Sequence, residues 1–224
     1  MPAAHEFRAF ANSSNMLLFT KILTISSMGI FAGTALNYNT VIMPSLRNFA
    51  SSSSLAVWAE MYLLAKPIQI STIVVSVIGG TSLFYKTGNT CYLGGALMMA
   101  VIVPYTRVLL YPINDSLLGI RKNGQGRNDS SVEEMLIRWD MIHFGRTLLS
   151  YGALVLTLYG ALAGKYKIIV GENILLVTKT ITIASMGIAA GTGLSYNTLI
   201  MPSLAKLPAQ TAVAVWCNTA FAAM

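Results

Sequence analysis

One stretch of this chain carries side chains at a spacing that could do chemistry. Trp139, His143, Arg146 and Ser150 stand at i, i+4, i+7 and i+11, which puts all four on one face of a helix. An imidazole exchanges protons near neutral pH. A guanidinium one turn away can hold an anionic oxygen, and an indole one turn the other way offers a flat apolar wall. Together these are the parts of a site for a planar, weakly acidic aromatic. A plainer reading uses the same residues, because Trp, Arg and His also anchor helices at a lipid–water boundary.

The surrounding elements must hold that stripe in place. Pro104-Tyr105-Thr106 and Pro112-Ile113-Asn114 precede it. Two prolines eight residues apart predict a kinked or broken helix. Such breaks at membrane depth survive only where the freed backbone faces protein or a water-filled cavity. Tyr105 and Asn114 are therefore candidate polar contacts. Asn37, one turn beyond Gly33 and two beyond Gly29, is a third. It is expected to join helices or to line a cavity.

The solvent of these helices follows from composition. The chain has 224 residues, 54% hydrophobic and 10% charged, against about 25% charged in soluble domains. Residues 22–46, 68–85, 87–106, 147–164 and 180–205 carry no charge at all. A helix crossing a bilayer needs roughly 20 mainly apolar residues. This excludes a soluble domain, a disordered chain and a disulfide scaffold. The net charge of +7 sits mostly beside the apolar runs, where Lys and Arg meet headgroups, so no nucleic-acid partner is expected. Cys91 and Cys217 lie in apolar settings with no CxxC pair and read as inert thiols. With only His5 and His143 and no HExxH or Cys/His spacing, no metal site is expected. No GxGxxG, GxxxxGK[ST] or nucleophile elbow is present, so no cofactor is expected either. The first apolar run is too long for the h-region of a cleaved signal peptide and is expected to stay as a helix.

The chain repeats itself. Residues 15–58 and 173–216 align at a constant offset of 158 with 26 identities in 44 positions. A repeat must be recognised before a fold is assigned. Three more apolar runs follow the first copy, whereas the second copy has only its opening run. The expected fold is all-α: an integral membrane four-helix bundle with a fifth transmembrane helix repeating the first. Residues 1–165 form the complete unit and 166–224 the partial second one. A fragment of a longer tandem protein and a natural five-helix chain both fit. Gly29-x-x-x-Gly33 and Gly187-x-x-x-Gly191 predict close helix contacts, between the two copies or between chains in a homo-oligomer. The helices are expected over about 16–36, from Pro67 to about 85, from about 91 to a break at Pro104, and from 131 to about 162. Pro44 and Pro202 are expected to end their helical runs. Ser131 and Glu134 fit a capping box after a Gly- and Asn-rich loop at 121–129. The repeat keeps Tyr38 and Asn39 as Tyr196 and Asn197 but replaces Asn37 by Ser195, which marks Tyr38 and Asn39 as the residues more tied to the fold.

These features resemble the anthrone oxygenase-like membrane proteins, most of which have no assigned activity. The carried residues are Pro44 closing helix one, Trp58 in the following loop, Pro104-Tyr105-Thr106, Pro112-x-Asn114 with Leu117, and Trp139-x-x-x-His143-x-x-Arg146. The resemblance covers about 17–162 as a whole unit and 174–216 as a part of one. It implies a four-helix membrane bundle and oxidation of an anthrone to an anthraquinone by molecular oxygen, with no metal or flavin required. His143 would act as general base and Arg146 would stabilise the enolate-like anion. Trp139 would stack on the ring, with Asn114, Tyr105 and Asn37 as polar contacts. The second copy lacks a Trp/His/Arg stripe.

The competing reading is a non-enzymatic scaffold or a lipid- or sterol-binding bundle, in which changes to the stripe alter folding rather than turnover. A small transporter is a third reading, weakened by the incomplete second repeat. The expected partners are membrane lipids, a hydrophobic aromatic and molecular oxygen. With five crossings, six basic residues fall on the N-terminal side and nine on the other, a lean toward an external N-terminus. Three crossings separate the sequons at Asn12 and Asn128. Expression in a glycosylating host is expected to modify one of them and not both, read as a single mobility shift abolished by one Asn→Gln change; modification of both overturns the helix count.

Overall fold

The computed structural model describes residues 14–124, 130–163 and 170–222. The sequons at Asn12 and Asn128, residues 125–129 of the expected loop and the 165/166 boundary lie outside them. The described residues are helical throughout, joined by short turns. The first rod comprises α1 (Ser14–Asn37), a π-helical turn (Tyr38–Ile42) and α2 (Met43–Leu46). The second is α3 (Ser51–Thr87). The third comprises α4 (Thr90–Tyr105), a π turn (Thr106–Leu110) and α5 (Tyr111–Lys122), and the fourth is α6 (Ser130–Ala163). Then follow α7 (Val170–Leu194), a π turn (Ser195–Ile200), α8 (Met201–Leu204) and α9 (Ala209–Ala222).

Four of these rods, Ser14–Leu46, Ser51–Thr87, Thr90–Lys122 and Ser130–Leu162, are long and apolar enough to cross a membrane. The protein is an integral, multi-pass membrane protein. Each rod has 33 to 37 residues, about 50–55 Å at ~1.5 Å per residue, against a hydrocarbon core of ~30 Å. Roughly 20 Å of each must project, and the charges show where. The charge-free runs begin at Ile68 and Thr147 and end at Thr106, so 51–67, 107–122 and 130–146 project on one side. The core divides at the same level. One cluster, including Met28, Phe31, Ile73, Met99, Ile102 and Leu154, fills the bundle at bilayer depth. The other, including Ile42, Leu55, Trp58, Leu117, Leu136 and Trp139, fills the projecting end. Ile78, Leu97, Leu148 and Val155 are more than half exposed and face the lipid.

The helices differ from expectation at their prolines. The second helix starts at Ser51 rather than after Pro67, and Pro67 lies inside it. Trp58 is therefore helical and fully buried, not in a loop. Burial of Leu55, Trp58 and Met61 in the projecting core outweighs the single backbone hydrogen bond that Pro67 cannot make. The break expected at Pro104 is absent, since Pro104 lies inside α4, and Pro44, Pro112 and Pro202 do not end their rods. Each sits one residue past a π turn's C-cap, and the residue before each proline donates its N–H five residues back: Met43 to Tyr38, Tyr111 to Thr106 and Met201 to Tyr196. The wider turn takes up the missing donor and the crowded carbonyl, so the helix axis continues.

The two copies of the repeat pack against each other in parallel. A Cβ on Gly29 would come within 3.0 Å of the Cα of Gly187. One on Gly33 would strike the Ile188 carbonyl, and one on Gly191 would strike the Ile30 carbonyl. Ile30 and Ile188 are themselves equivalent in the repeat, so the contacts are reciprocal, as in a two-fold interface. Thr34 Oγ1 donates to the Gly191 carbonyl across it at 3.2 Å. Both GxxxG faces are thus occupied within one chain, which leaves neither free for the association between chains expected through them. Glu60 on α3 bridges Arg121 and Lys206, tying the projecting end of the third rod to the second copy. Gly33→Leu or Gly191→Leu is expected to cost about 1–3 kcal/mol or more through forced separation of α1 and α7, read by thermal denaturation in detergent. Gly193→Ala, where nothing lies within 4 Å, is expected to cost nothing; equal losses at all three positions would contradict the pairing.

Candidate functional site

The stripe on α6 faces inward at the level where bilayer and projecting core meet. Met141, Phe144 and Leu148, on its other face, are exposed. Trp139, His143, Arg146 and Ser150 are buried, and the first rod, α3 and the third rod supply their partners.

His143 is 1% exposed. Its ring stacks on Trp139 with centroids 4.5 Å apart and 19° between planes, and Tyr38 packs against it at 5.3 Å. Its Nδ1 lies 3.2 Å from Asn39 Oδ1. The orientation of that amide is set by its other partners. Asn39 Nδ2 donates to Asp140 Oδ1 at 2.6 Å and to the Asp140 carbonyl at 3.0 Å, while Oδ1 accepts from Thr147 Oγ1 at 2.7 Å. Only the amide nitrogen can donate to a carboxylate. Asn39 Oδ1 is therefore an acceptor toward His143, Nδ1 carries the hydrogen, and Nε2 keeps its lone pair. Arg47 Nη2 closes the network on Asp140 Oδ2 at 2.6 Å. The chain from Arg47 through Asp140 and Asn39 to His143 fixes one tautomer of the imidazole.

Arg146, one turn along, is 6% exposed. Its Nη2 donates to Gln69 Oε1 at 2.8 Å, and its guanidinium lies 5.4 Å from the Phe31 ring centre. Four phenols, those of Tyr38, Tyr62, Tyr105 and Tyr111, stand within its electrostatic reach. Its Nε has no partner, and neither does the buried hydroxyl of Tyr38. Arg146 borders a cavity of about 290 Å³ between α3 and the third rod, walled also by Tyr62, Gln69, Ile73, Thr106 and Tyr111. Small-molecule sites run from roughly 300 to 1,000 Å³, so this one suits a compact, flat ligand.

Of the site residues singled out from sequence, only Arg146 reaches that cavity. His143 stands one turn behind it. Trp139 donates Nε1 to Asn114 Oδ1 at 2.8 Å. Its ring is covered by His143 and flanked by Tyr38 at 5.7 Å and Trp58 at 5.8 Å, so it packs on protein rather than on the cavity. Tyr105 OH donates to the Ile142 carbonyl at 2.7 Å, joining the third rod to α6. Asn37 is buried with both side-chain atoms unpartnered and borders no described cavity. Asn39, Asp140, Thr147 and Gln69 were not picked out as site residues. Retention of Asn39 as Asn197 in the repeat was the signal for the first, and a Gln inside a charge-free run was the signal for the last. Among the described residues no three His, Cys, Asp or Glu side chains come together as metal ligands.

The anthrone oxygenase family model matches residues 58–156, which include Trp58, the whole third rod and the Trp139–Arg146 stripe. This stretch is similar to that family, as the sequence resemblance anticipated. No curated protein and no solved structure matches the chain. Trp139→Phe is expected to destabilise by about 1–3 kcal/mol, because Asn114 keeps a buried acceptor without its donor. Adding Asn114→Leu is expected to recover part of this in thermal denaturation. Strict additivity of the two losses would mean that the indole–amide bond carries none of the cost.

Proposed function

We propose that the protein is a cofactor-independent oxygenase of an anthrone-like planar aromatic. The observation that carries this reading is a buried guanidinium with an unpartnered Nε in the wall of a compact cavity, one helical turn from an imidazole whose Nε2 carries no hydrogen. The family match at 58–156 supports it.

An anthrone has an acidic C–H para to its ketone across the central ring. His143 is the general base of this proposal; it stands one turn behind the cavity lining, so taking that proton requires the substrate to pass Arg146 and reach Nε2. The carbonyl oxygen gains the charge, and Arg146 stabilises it in an oxyanion role. The electron-rich anion then passes one electron to molecular oxygen, and the radical pair combines to a hydroperoxide. Loss of water leaves the second quinone carbonyl. One oxygen atom ends in the quinone and the other in water, so no further reductant is needed. Trp139, Asn114 and Tyr105 act as positioning residues for α6 and the third rod, and Tyr62 and Tyr111 flank the ring.

The test is oxygen uptake by the detergent-solubilised protein with a simple anthrone. His143→Ala is expected to lower the rate about 10²–10⁴-fold, and Arg146→Gln about 10²–10³-fold, with the melting transition retained. Uptake unaffected by either change sinks the assignment of roles. Uptake no faster than anthrone autoxidation, from folded protein, favours the scaffold or lipid-binding reading.

A further inference from the structure

We propose that the ligand of this cavity carries a fixed negative group, a carboxylate or an ionised phenol, and that Lys66 and Arg107 receive it at a mouth open to the bilayer. The inference rests on the cavity being the substrate site, and adds what that substrate must bear besides its reactive carbon.

Three cations border the cavity, Lys66, Arg107 and Arg146, and no carboxylate does. Arg146 lies deep and is directed by Gln69. Lys66 and Arg107 are exposed and converge on one ring, with Lys66 Nζ 5.9 Å and the Arg107 guanidinium carbon 4.8 Å from the centre of Tyr111. Among the described residues the ion pairs engage Arg47, Arg121 and Lys206 and none of these three. Cations drawn together with no carboxylate bonded to them repel one another, and an anion between them relieves that repulsion. The cations stand apart in depth. Arg146 serves the oxygen that becomes charged during reaction, while Lys66 and Arg107 suit a charge already present on arrival.

The apolar lip gives the route. Ile70, Val74 and Val103 border the same cavity and are about half exposed. They lie just inside the charge-free runs, with Lys66 and Arg107 just outside. A flat aromatic acid lying in the bilayer would thus meet the lip with its rings and the cations with its charged end at headgroup level, the depth such amphiphiles adopt unaided. An acidic phospholipid shares that chemistry. The ring walls of Tyr62 and Tyr111 and the small volume favour the aromatic acid.

The test is binding rather than turnover, so that it stands apart from oxygenase activity. The full chain in phosphatidylcholine nanodiscs is titrated by equilibrium dialysis with anthraquinone-2-carboxylate and, separately, anthraquinone-2-carboxamide. The carboxylate is expected to bind about tenfold more tightly, as for a charge-assisted hydrogen bond. Raising salt is expected to erode that preference and leave the carboxamide unchanged. The Lys66→Gln/Arg107→Gln double variant is expected to bind both probes alike. Equal affinities in the unaltered protein overturn the inference, as does a preference indifferent to salt. Carboxylate binding abolished by phosphatidylglycerol in the disc also overturns it, and assigns the cations to headgroups. Absence of anthrone-dependent oxygen uptake, by contrast, would overturn the oxygenase reading while this binding preference persists.

Discussion

Hydrocarbon accepts no unpaired polar group, and these rods are longer than the hydrocarbon is thick. Both conditions act on each of the four long rods. Roughly 25 Å of the second, third and fourth rods is bare of charge at ~1.5 Å per residue, and their projecting ends carry Glu60, Arg121 and Asp140, with Arg47 just past the first rod. Where the two zones meet, polar side chains can be sheltered from lipid by protein and still stand near water. His143, Arg146, Asn39 and Gln69 all lie at that level. Their hydrogen bonds to one another follow from the cost of leaving any of them alone. Precise orientation of the imidazole is thus a by-product of solvation as much as a requirement of chemistry.

The prolines belong to the same account. A proline in a soluble helix can end it and leave the freed groups to water. Near the membrane boundary another solution is to widen one turn and carry on. The π turns at Tyr38–Ile42, Thr106–Leu110 and Ser195–Ile200 do this before Pro44, Pro112 and Pro202. Two of them also shape the site. Tyr38 and Asn39 come from the first, and Thr106 and Arg107 from the second. π turns recur at functional sites because the extra residue re-aims the side chains around it, and here it turns Asn39 toward α6 and Arg107 toward the cavity mouth.

The internal repeat shows which features serve packing and which serve the site. The glycines at 29, 33, 187 and 191 obey the two-fold relation, since each copy needs the same close approach. Tyr38 and Tyr196 do not. Tyr196 OH donates to the Thr219 carbonyl, whereas the Tyr38 hydroxyl is buried without a partner beside His143. Among the described residues no counterpart of α6 faces the second copy. One copy meets the catalytic candidates and the other buttresses it.

Much was legible in the residues alone. Five charge-free runs declared a membrane bundle, because length and apolarity are local properties that any arrangement must respect. The 158-residue offset declared the repeat, and the helical period put Trp139, His143, Arg146 and Ser150 on one face. Spacing along one helix could not say what stands opposite that face. That depended on the first rod and α3 arriving there from more than 70 residues away, so Asn39 and Gln69 emerged as partners only when the helices were packed. The same packing covered Trp139, committed Asn114 and Tyr105 to bonds within the protein, and left Arg146 at the cavity. The helix past Pro67 was misjudged for a related reason: proline's local penalty is visible in sequence, whereas the core that outweighs it exists only in the assembled bundle. Periodicity is written along the chain, and which side chain meets a cavity is decided by distant surfaces closing on one another.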